Sequence, residues 1–332
     1  MVQTLSQYYE SIFGCKTYKI SLDAGCTCPN RDGTKGSDGC IFCSENGSGD
    51  FAAARSLSVK EQLEQGRALV EAKLRGRSGE RRGKYIAYFQ NFTSTYGDAK
   101  TLLGKYKEAL AFENVAGLAV ATRPDCLSDE ILQGLTEISK TYFVQIELGL
   151  QTSNEQTGRL INRCYTNEDY IAAVAHIQKT APDIHIVTHL IFGLPGETES
   201  DILNSVRFVV EHNSCHPELD SGSNHIDPDL RRDDTYRRDA EWGIKITSLY
   251  ILQNTPLATM YEAGEYQPLS KEAYFELLKK ALPLFPSNCI VHRLTGDPPK
   301  SVLIAPTWTT NKKSVLNELN NLLTLVQSHN KI

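Results

Sequence analysis

The residue types best suited to chemistry gather in one short loop. Cys26, Cys28, Cys40 and Cys43 crowd into a segment rich in Gly, Asp and Asn, whereas Cys15, Cys126, Cys164, Cys215 and Cys289 are scattered and read as inert thiols. A reducing cytoplasm disfavours disulfides there, so clustered cysteines point to metal or redox chemistry. Cys40 and Cys43 form a C-x2-C bite, and Cys28 lies across a loop able to turn backbone N–H groups toward anionic sulfur. Two metals compete. Four thiolates from Cys26, Cys28, Cys40 and Cys43 could close a structural zinc site. Three thiolates could instead hold a [4Fe–4S] cluster with one iron open. The loop alone leaves both readings standing.

Six strand–helix units must position this loop. Apolar runs at Lys16–Asp23, Lys84–Asn91, Gly117–Thr122, Tyr142–Leu148, Ile184–Phe192 and Gly243–Ile251 read as strands. Amphipathic stretches separate them; Ser58 with Glu61 three residues later signals a capping box. Further helices fit Lys100–Phe112, the stretch from Ser128, the residues leading to Ala181, the stretch after Thr198, Ser270–Leu284 and Asn311–Gln327, and Cys289–Leu294 is one more short apolar run. Repeated β/α units imply a parallel sheet with right-handed crossovers, and these strands read as apolar on both faces. Periodicity does not separate a barrel from an open sheet, but either places the active site at the C-terminal ends of the strands, where the polar motifs fall.

The bulk numbers set bounds. The chain has 332 residues, 40% hydrophobic and 23% charged, with a formal net charge of −5. A packed core is feasible and nothing in the total announces a nucleic-acid protein. No apolar run reaches membrane-span length, and Met1–Gly14 is unlike a secretory signal, so the expected location is the cytoplasm. His212–Arg238 lacks hydrophobic periodicity and reads as an inserted loop; its functional reading is a lid or metal loop using Cys215, His216 and His225. The run Lys73–Lys84, with Arg75, Arg77, Arg81 and Arg82, reads as a solvated helix end or as a phosphate-binding patch for RNA.

Taken in order, the motifs resemble the radical S-adenosylmethionine (SAM) superfamily, and within it bacterial proteins of the YhcC/YtqA type, relatives of the Elongator catalytic subunit. The resemblance runs from about Tyr8 to Leu323 and rests on Cys28-Pro-Asn-Arg-Asp-Gly-Thr with Cys40-Ile-Phe-Cys43, on Tyr88-Phe-Gln90-Asn-Phe-Thr93-Ser-Thr95-Tyr96, on Thr122-Arg-Pro-Asp125 and on Glu147-Leu-Gly-Leu-Gln151-Thr. His189-Leu-Ile-Phe-Gly193-Leu-Pro-Gly196-Glu197-Thr, Thr255-Pro-Leu-Ala-Thr-Met-Tyr261 and His292-Arg-Leu-Thr-Gly296-Asp297 complete it.

This resemblance implies an α/β fold, a partial (β/α)6 barrel with a C-terminal α/β extension. It divides the chain into an N-terminal helical segment (1–15), a core (16–260, with the insert at 212–238) and an extension (261–332) packing on the barrel. It implies that Cys28, Cys40 and Cys43 bind three irons, that the amino and carboxylate groups of SAM chelate the fourth, and that an electron delivered through the cluster cleaves SAM to a 5′-deoxyadenosyl radical. By position, Gln90, Asn91 and Thr93 would meet the SAM amino group, Thr93 replacing an acidic residue common in the superfamily. Glu147, placed at the end of the fourth strand, would take the ribose hydroxyls, Arg163 the SAM carboxylate, and Gly193 and Gly196 would admit the adenine. Cys26 stands where relatives carry an apolar residue and reads as a packed thiol. Cys164 and Tyr165 replace a usual Gly-His, which puts the turn after Arg163 in doubt. Arg123 with Asp125 divides evenly between a structural turn and a functional pair, His189 between a satisfied core histidine and a substrate contact. His292, Arg293 and Asp297 are expected beyond the barrel, capping it.

Elongator-like relatives act on wobble-uridine side chains, so the leading expectation is a radical enzyme acting on tRNA, fed by a flavodoxin or ferredoxin-type electron donor. A concrete version takes hydrogen from a methylene of a carboxymethylaminomethyl group at uridine C5, leading to its shortening. The alternatives are a radical enzyme acting on a small metabolite or peptide, favoured by the acidic balance, and a non-catalytic zinc-binding module.

Overall fold

The fold is taken from a computed structural model describing residues 3–45, 47, 52–74, 83–214 and 241–329. In chain order the elements are β1 (Gln3–Thr4), α1 (Leu5–Phe13), β2 (Thr17–Leu22), α2 (Val59–Leu74), β3 (Lys84–Phe89), α3 (Ala99–Leu110), β4 (Val115–Thr122), α4 (Asp129–Ser139) and β5 (Phe143–Gln151). They continue with α5 (Glu155–Leu160), α6 (Asn167–Thr180), β6 (His185–Phe192), α7 (Glu199–Ser214), β7 (Trp242–Ser248), β8 (Ile251–Leu252), α8 (Pro256–Glu262), α9 (Lys271–Ala281), β9 (Cys289–Arg293), β10 (Leu303–Ala305) and α10 (Lys312–His329). Side-chain caps start the helices where the sequence offers them. Ser58 and Glu61 make the expected reciprocal pair ahead of α2, and Asp98, Ser128, Thr166 and Ser270 cap α3, α4, α6 and α9.

Eight strands form one sheet in the order β1-β9-β7-β6-β5-β4-β3-β2, every pairing parallel. The sheet is strongly curled. Lys245 on β7 donates to the hydroxyl of Tyr88 on β3 at 3.2 Å. Those strands are four places apart, roughly 19 Å in a flat sheet at ~4.8 Å per strand. The partial barrel is therefore real, and β2 to β7 are its six β/α strands.

Alternation along each strand sorts the side chains. Ile20, Leu22, Phe89, Leu118, Val120, Ile146, Leu148, Leu190, Phe192, Ile244 and Ile246 pack outward against Leu63, Tyr106, Leu135, Tyr170, Val206 and Leu278 of the helices. The other face is polar, which corrects the expectation of strands apolar on both faces: Lys19, Tyr88, Gln145, Glu147, His189, Lys245 and Thr247 alternate with those outward residues. A curled sheet has helices on its convex face only, so its concave face is free to carry charge.

The N-terminal end of the barrel is plugged by α1. Tyr8 and Tyr9 pack with Ile86, Tyr88, Ala119 and Ile290, and their rings meet Phe143 edge-on at 6.2 and 5.9 Å. The Tyr9 hydroxyl donates to Gln145 Oε1 at 3.3 Å. Cys289–Arg293 is not a cap beyond the barrel: as β9 it extends the sheet beside β7, and His292 stacks on His185 of β6, Nε2 to Nε2 2.9 Å. The helical residues expected up to Ala181 form two helices, α5 and α6. Arg75, Arg77, Arg81 and Arg82, and the insert with Cys215, His216 and His225, lie outside the described residues; His212 to Ser214 end α7. Among the described residues no helix is long and apolar enough to cross a membrane.

Candidate active site

All the strand ends that follow the motifs open at one mouth. β2 leads into the cysteine loop, which is stitched down by its own polar residues. Within it, Arg31 N–H donates to Cys28 O (2.8 Å), Gly39 N–H to Asn30 O (2.7 Å) and Cys43 N–H to Cys40 O (3.0 Å). Gly39 is required twice over: its φ is +74°, and a Cβ would stand 2.9 Å from Arg31 Nε. That arginine reaches the carbonyls of Cys43 (3.0 Å) and Ser44 (2.6 Å). Asn30, fully buried, donates to the carbonyls of Asn162 (2.7 Å) and Arg163 (3.1 Å) and lies 3.8 Å from Cys40 Sγ, while Asn162 donates to Gly39 O at 2.7 Å. The loop is thus tied to the turn that follows α5.

Cys28, Cys40 and Cys43 share one electrostatic neighbourhood. Burial pushes the Cys40 thiol up to about 12, the neighbouring Cys43 and Cys28 add to that, and Arg123 and Asn30 work against it. Arg123 Nη1 lies 3.9 Å from Cys28 Sγ, its other nitrogens bidentate on Asp125 at 2.9 and 2.8 Å. Lys35 closes on the same carboxylate at 2.5 Å. The Arg123–Asp125 pair is therefore both a structural turn and the cation beside a thiol. Cys26 sits apart in the main core, its thiol raised to about 11 by burial, with Lys105, Asp23 and Arg55 as charged neighbours. A zinc site would need four sulfurs roughly 3.8 Å from one another, and the groups acting on Cys26 include none of the other loop cysteines. Among the described residues no three His, Cys, Asp or Glu side chains converge on a single metal-ion position. Three thiols with an amide and a guanidinium aimed at two of their sulfurs fit the wider cube of an iron–sulfur cluster.

The residues expected to meet SAM fall into two groups. Gln90, Asn91 and Thr93 follow β3 at the mouth: Ser21 donates to Gln90 Oε1 (3.1 Å), Asn91 donates to Asp23 (2.8 Å) and leaves its buried Oδ1 without a partner, and Thr93 N–H donates to Thr27 O (3.3 Å). Gly193 and Gly196 follow β6 with φ of +87° and +79°; a Cβ on Gly193 would strike Leu269 at 2.8 Å, whereas one on Gly196 would meet only Leu160 at 3.8 Å. The other two are placed differently from expectation. Arg163 is fully buried and all five of its N–H groups are engaged, by the carbonyls of Leu150, Thr152 and Tyr165 and by Glu155 and Asn167 at 2.6 to 3.3 Å. It has no donor left for a SAM carboxylate; it welds the turn to β5. Glu147 does not end its strand, because β5 runs on through Gly149 to Gln151 in register with β6. Glu147 faces the barrel interior, paired with Lys245 at 2.7 Å. Burial would raise its pKa, but Lys245, Lys19 and the Tyr88 hydroxyl hold it well below the usual carboxylate range. The side chain that does end β5 is Gln151, which accepts from the Tyr165 hydroxyl.

Sequence reasoning passed over the interior wall. Lys19 and Lys245 are lone charges in the middle of apolar strands, a signal that was present. His189 is on that wall too, bonded to Thr247 Oγ1 at 3.0 Å and kept neutral by burial, its pKa near 3.

Comparison with known proteins identifies the family. Residues 28–209 match the radical SAM superfamily model and residues 242–324 the radical SAM C-terminal domain model. The uncharacterized protein YtqA of Bacillus subtilis is 37% identical over 96% of this chain and 88% of its own. The tRNA-2-methylthio-N(6)-dimethylallyladenosine synthase of Acetivibrio thermocellus is 32% identical over 46% of this chain and 32% of its own. The solved structure of archaeal Elp3 from Methanocaldococcus infernus, with its N-terminus deleted, superposes with a TM-score of 0.57 at 16% identity, covering 92% of this chain and 63% of that one, a likeness of fold. The chain belongs to the radical SAM superfamily and is an enzyme that uses a [4Fe–4S] cluster and SAM.

Proposed function

We propose that this enzyme modifies a wobble-uridine side chain of tRNA, with Cys28, Cys40 and Cys43 as its iron ligands. The observation that carries the reading is the three-thiol loop set over a polar-walled barrel closed at its far end by α1. When bound, the cluster and SAM supply a 5′-deoxyadenosyl radical. The chain's own residues do the rest. Arg123 offsets thiolate charge beside Cys28, and Asn30 offers its amide to Cys40. The Gln90–Thr93 loop, with the free Oδ1 of Asn91, is offered to the SAM amino group, and the open backbone at Gly196, with Gly193, to its adenine. The Tyr8–Tyr9 plug keeps water from entering at the far end.

The partial relative named as a tRNA-modifying synthase and the resemblance to Elongator-type proteins support tRNA as the substrate. The enzyme needs a reductant, which we assign to a flavodoxin or ferredoxin-type donor, and a cytoplasmic setting would keep the described cysteines free, as they are. Nucleoside analysis of tRNA from a deletion strain tests this: accumulation of an unshortened carboxymethylaminomethyl side chain is expected, and unchanged wobble uridines would sink it. If tRNA fails to stimulate 5′-deoxyadenosine release while a small carboxylic metabolite does, the substrate is the metabolite.

A further inference from the structure

We infer that the interior wall where Lys19, Lys245 and Tyr88 meet is a subsite for a carboxylate carried by the substrate. Lys19 points inward because its neighbours Ile20 and Leu22 occupy the outer core. Its ammonium lies 4.7 Å from the centre of the Tyr88 ring and, among the described residues, has no hydrogen-bond or ion-pair partner. Lys245 is held by Glu147 at 2.7 Å and Tyr88 at 3.2 Å. The charged groups facing Lys19 are Glu147, Lys245 and Arg293, and Arg293 lies 3.7 Å from Asp297, a carboxylate that Lys312 also holds at 2.6 Å. Two ammonium groups against the single carboxylate of Glu147 leave at least one positive charge uncompensated. The wall's histidines add no further positive charge, since burial keeps His185 and His189 neutral with pKa values near 3.

An unpaired ammonium in a low-dielectric site is costly, and a charge-assisted bond to an incoming anion relieves that cost. The surplus positive charge calls for an anion, and a carboxylate supplies one. The site has access: Lys19 and Lys245 both keep accessible surface. It also has the right depth. Lys19 is two residues below Ser21, which bonds Gln90 at the mouth, so it lies ~7 Å down the strand from the proposed SAM position. Burial lowers the Lys19 pKa to about 8, which leaves it mainly charged near neutrality.

The inference rests on the wobble-uridine reading for the carboxylate it names, that of a carboxymethylaminomethyl group. Binding to reconstituted holoenzyme with SAM and no reductant tests it, using 5-carboxymethylaminomethyluridine, its methyl ester and inorganic phosphate. The acid is expected to bind at least tenfold more tightly than the ester, Lys19→Met to abolish that discrimination, and Lys19→Arg to keep it. The melting temperature and cluster absorbance of Lys19→Met report that the variant is folded. Equal binding of acid and ester to the wild type, discrimination that survives Lys19→Met, or phosphate competing as well as the acid overturns the subsite. Acetate and acetamide titrated against lysine-¹⁵N-labelled holoenzyme separate this inference from the reading beneath it. A Lys19 side-chain shift with acetate alone supports the subsite even where neither nucleoside binds, a result that would sink only the wobble-uridine reading. Absence of that shift overturns the subsite.

Discussion

At the scale of single residues Arg163 leaves the role its position in the sequence suggested, while Arg123, divided between a structural turn and a functional pair, holds a turn and also lies against a thiol. Arg163 is a buried structural cation whose removal strands three backbone carbonyls; Arg163→Met is expected to cost about 3 kcal/mol or more in denaturant unfolding. Arg123 is the residue that lies against the Cys28 thiol, 3.9 Å from its sulfur. Its replacement by Gln is expected to shift the cluster's reduction potential in the negative direction, read by anaerobic redox titration, because a cation beside the sulfurs favours the reduced cluster. A second residue-scale expectation concerns Glu197. Burial raises its pKa from 4.5 to about 7, against a hydrogen bond from Thr152. The folded state therefore holds a proton that the unfolded state releases, so this contribution is complete below about pH 4.5 and is lost as pH rises through 7. Glu197→Gln should raise stability at pH 8 by on the order of 1–2 kcal/mol and leave it unchanged at pH 4. The cysteine-rich loop was legible because residue type and spacing mark it, though its ligand set came only from the resemblance. The engagement of Arg163 was not, because which acceptors fill a guanidinium depends on where two turns meet in space.

At the scale of elements the turn after α5 shows how a fold absorbs an unusual residue. Cys164 stands at φ +59°, a left-handed conformation that glycine would take without strain. The turn doubted from the sequence is kept, and its Sγ bonds Asn162 Oδ1 at 3.1 Å. Cys164→Gly is expected to leave cluster content unchanged and to raise stability by up to about 1 kcal/mol. Gly193→Ala should do the opposite, costing about 1–3 kcal/mol through φ and the Leu269 contact, measurable by thermal melting. The strands and helix starts were readable, since hydrophobic period and caps are local. Strand β9 was misjudged because a five-residue apolar run says nothing of which edge it will join. Glu147 was misplaced because Gly149 and Gln151 look like loop residues until β6 offers them a ladder.

At the scale of the whole molecule, a curled sheet with an apolar outer face and a charged inner one is closed below by α1 and opens above at the cysteine loop. The plug is a packing unit, so Tyr9→Ala is expected to cost about 3–5 kcal/mol and to expose the inner face, seen as lower thermal stability before any change in iron binding. The barrel itself could not be separated from an open sheet by periodicity; curl shows only in contacts such as Lys245 with Tyr88, which join strands far apart in the order. The proposed function depends on three cysteines, not four, holding the metal centre. The most direct test is iron and acid-labile sulfide content after anaerobic reconstitution of the wild type, Cys26→Ala and Cys40→Ala. The expected result is full [4Fe–4S] stoichiometry in the wild type and in Cys26→Ala, and its loss in Cys40→Ala. A Cys26→Ala protein that loses its metal as completely as Cys40→Ala, or a wild type that takes up one zinc and no sulfide, would contradict the account.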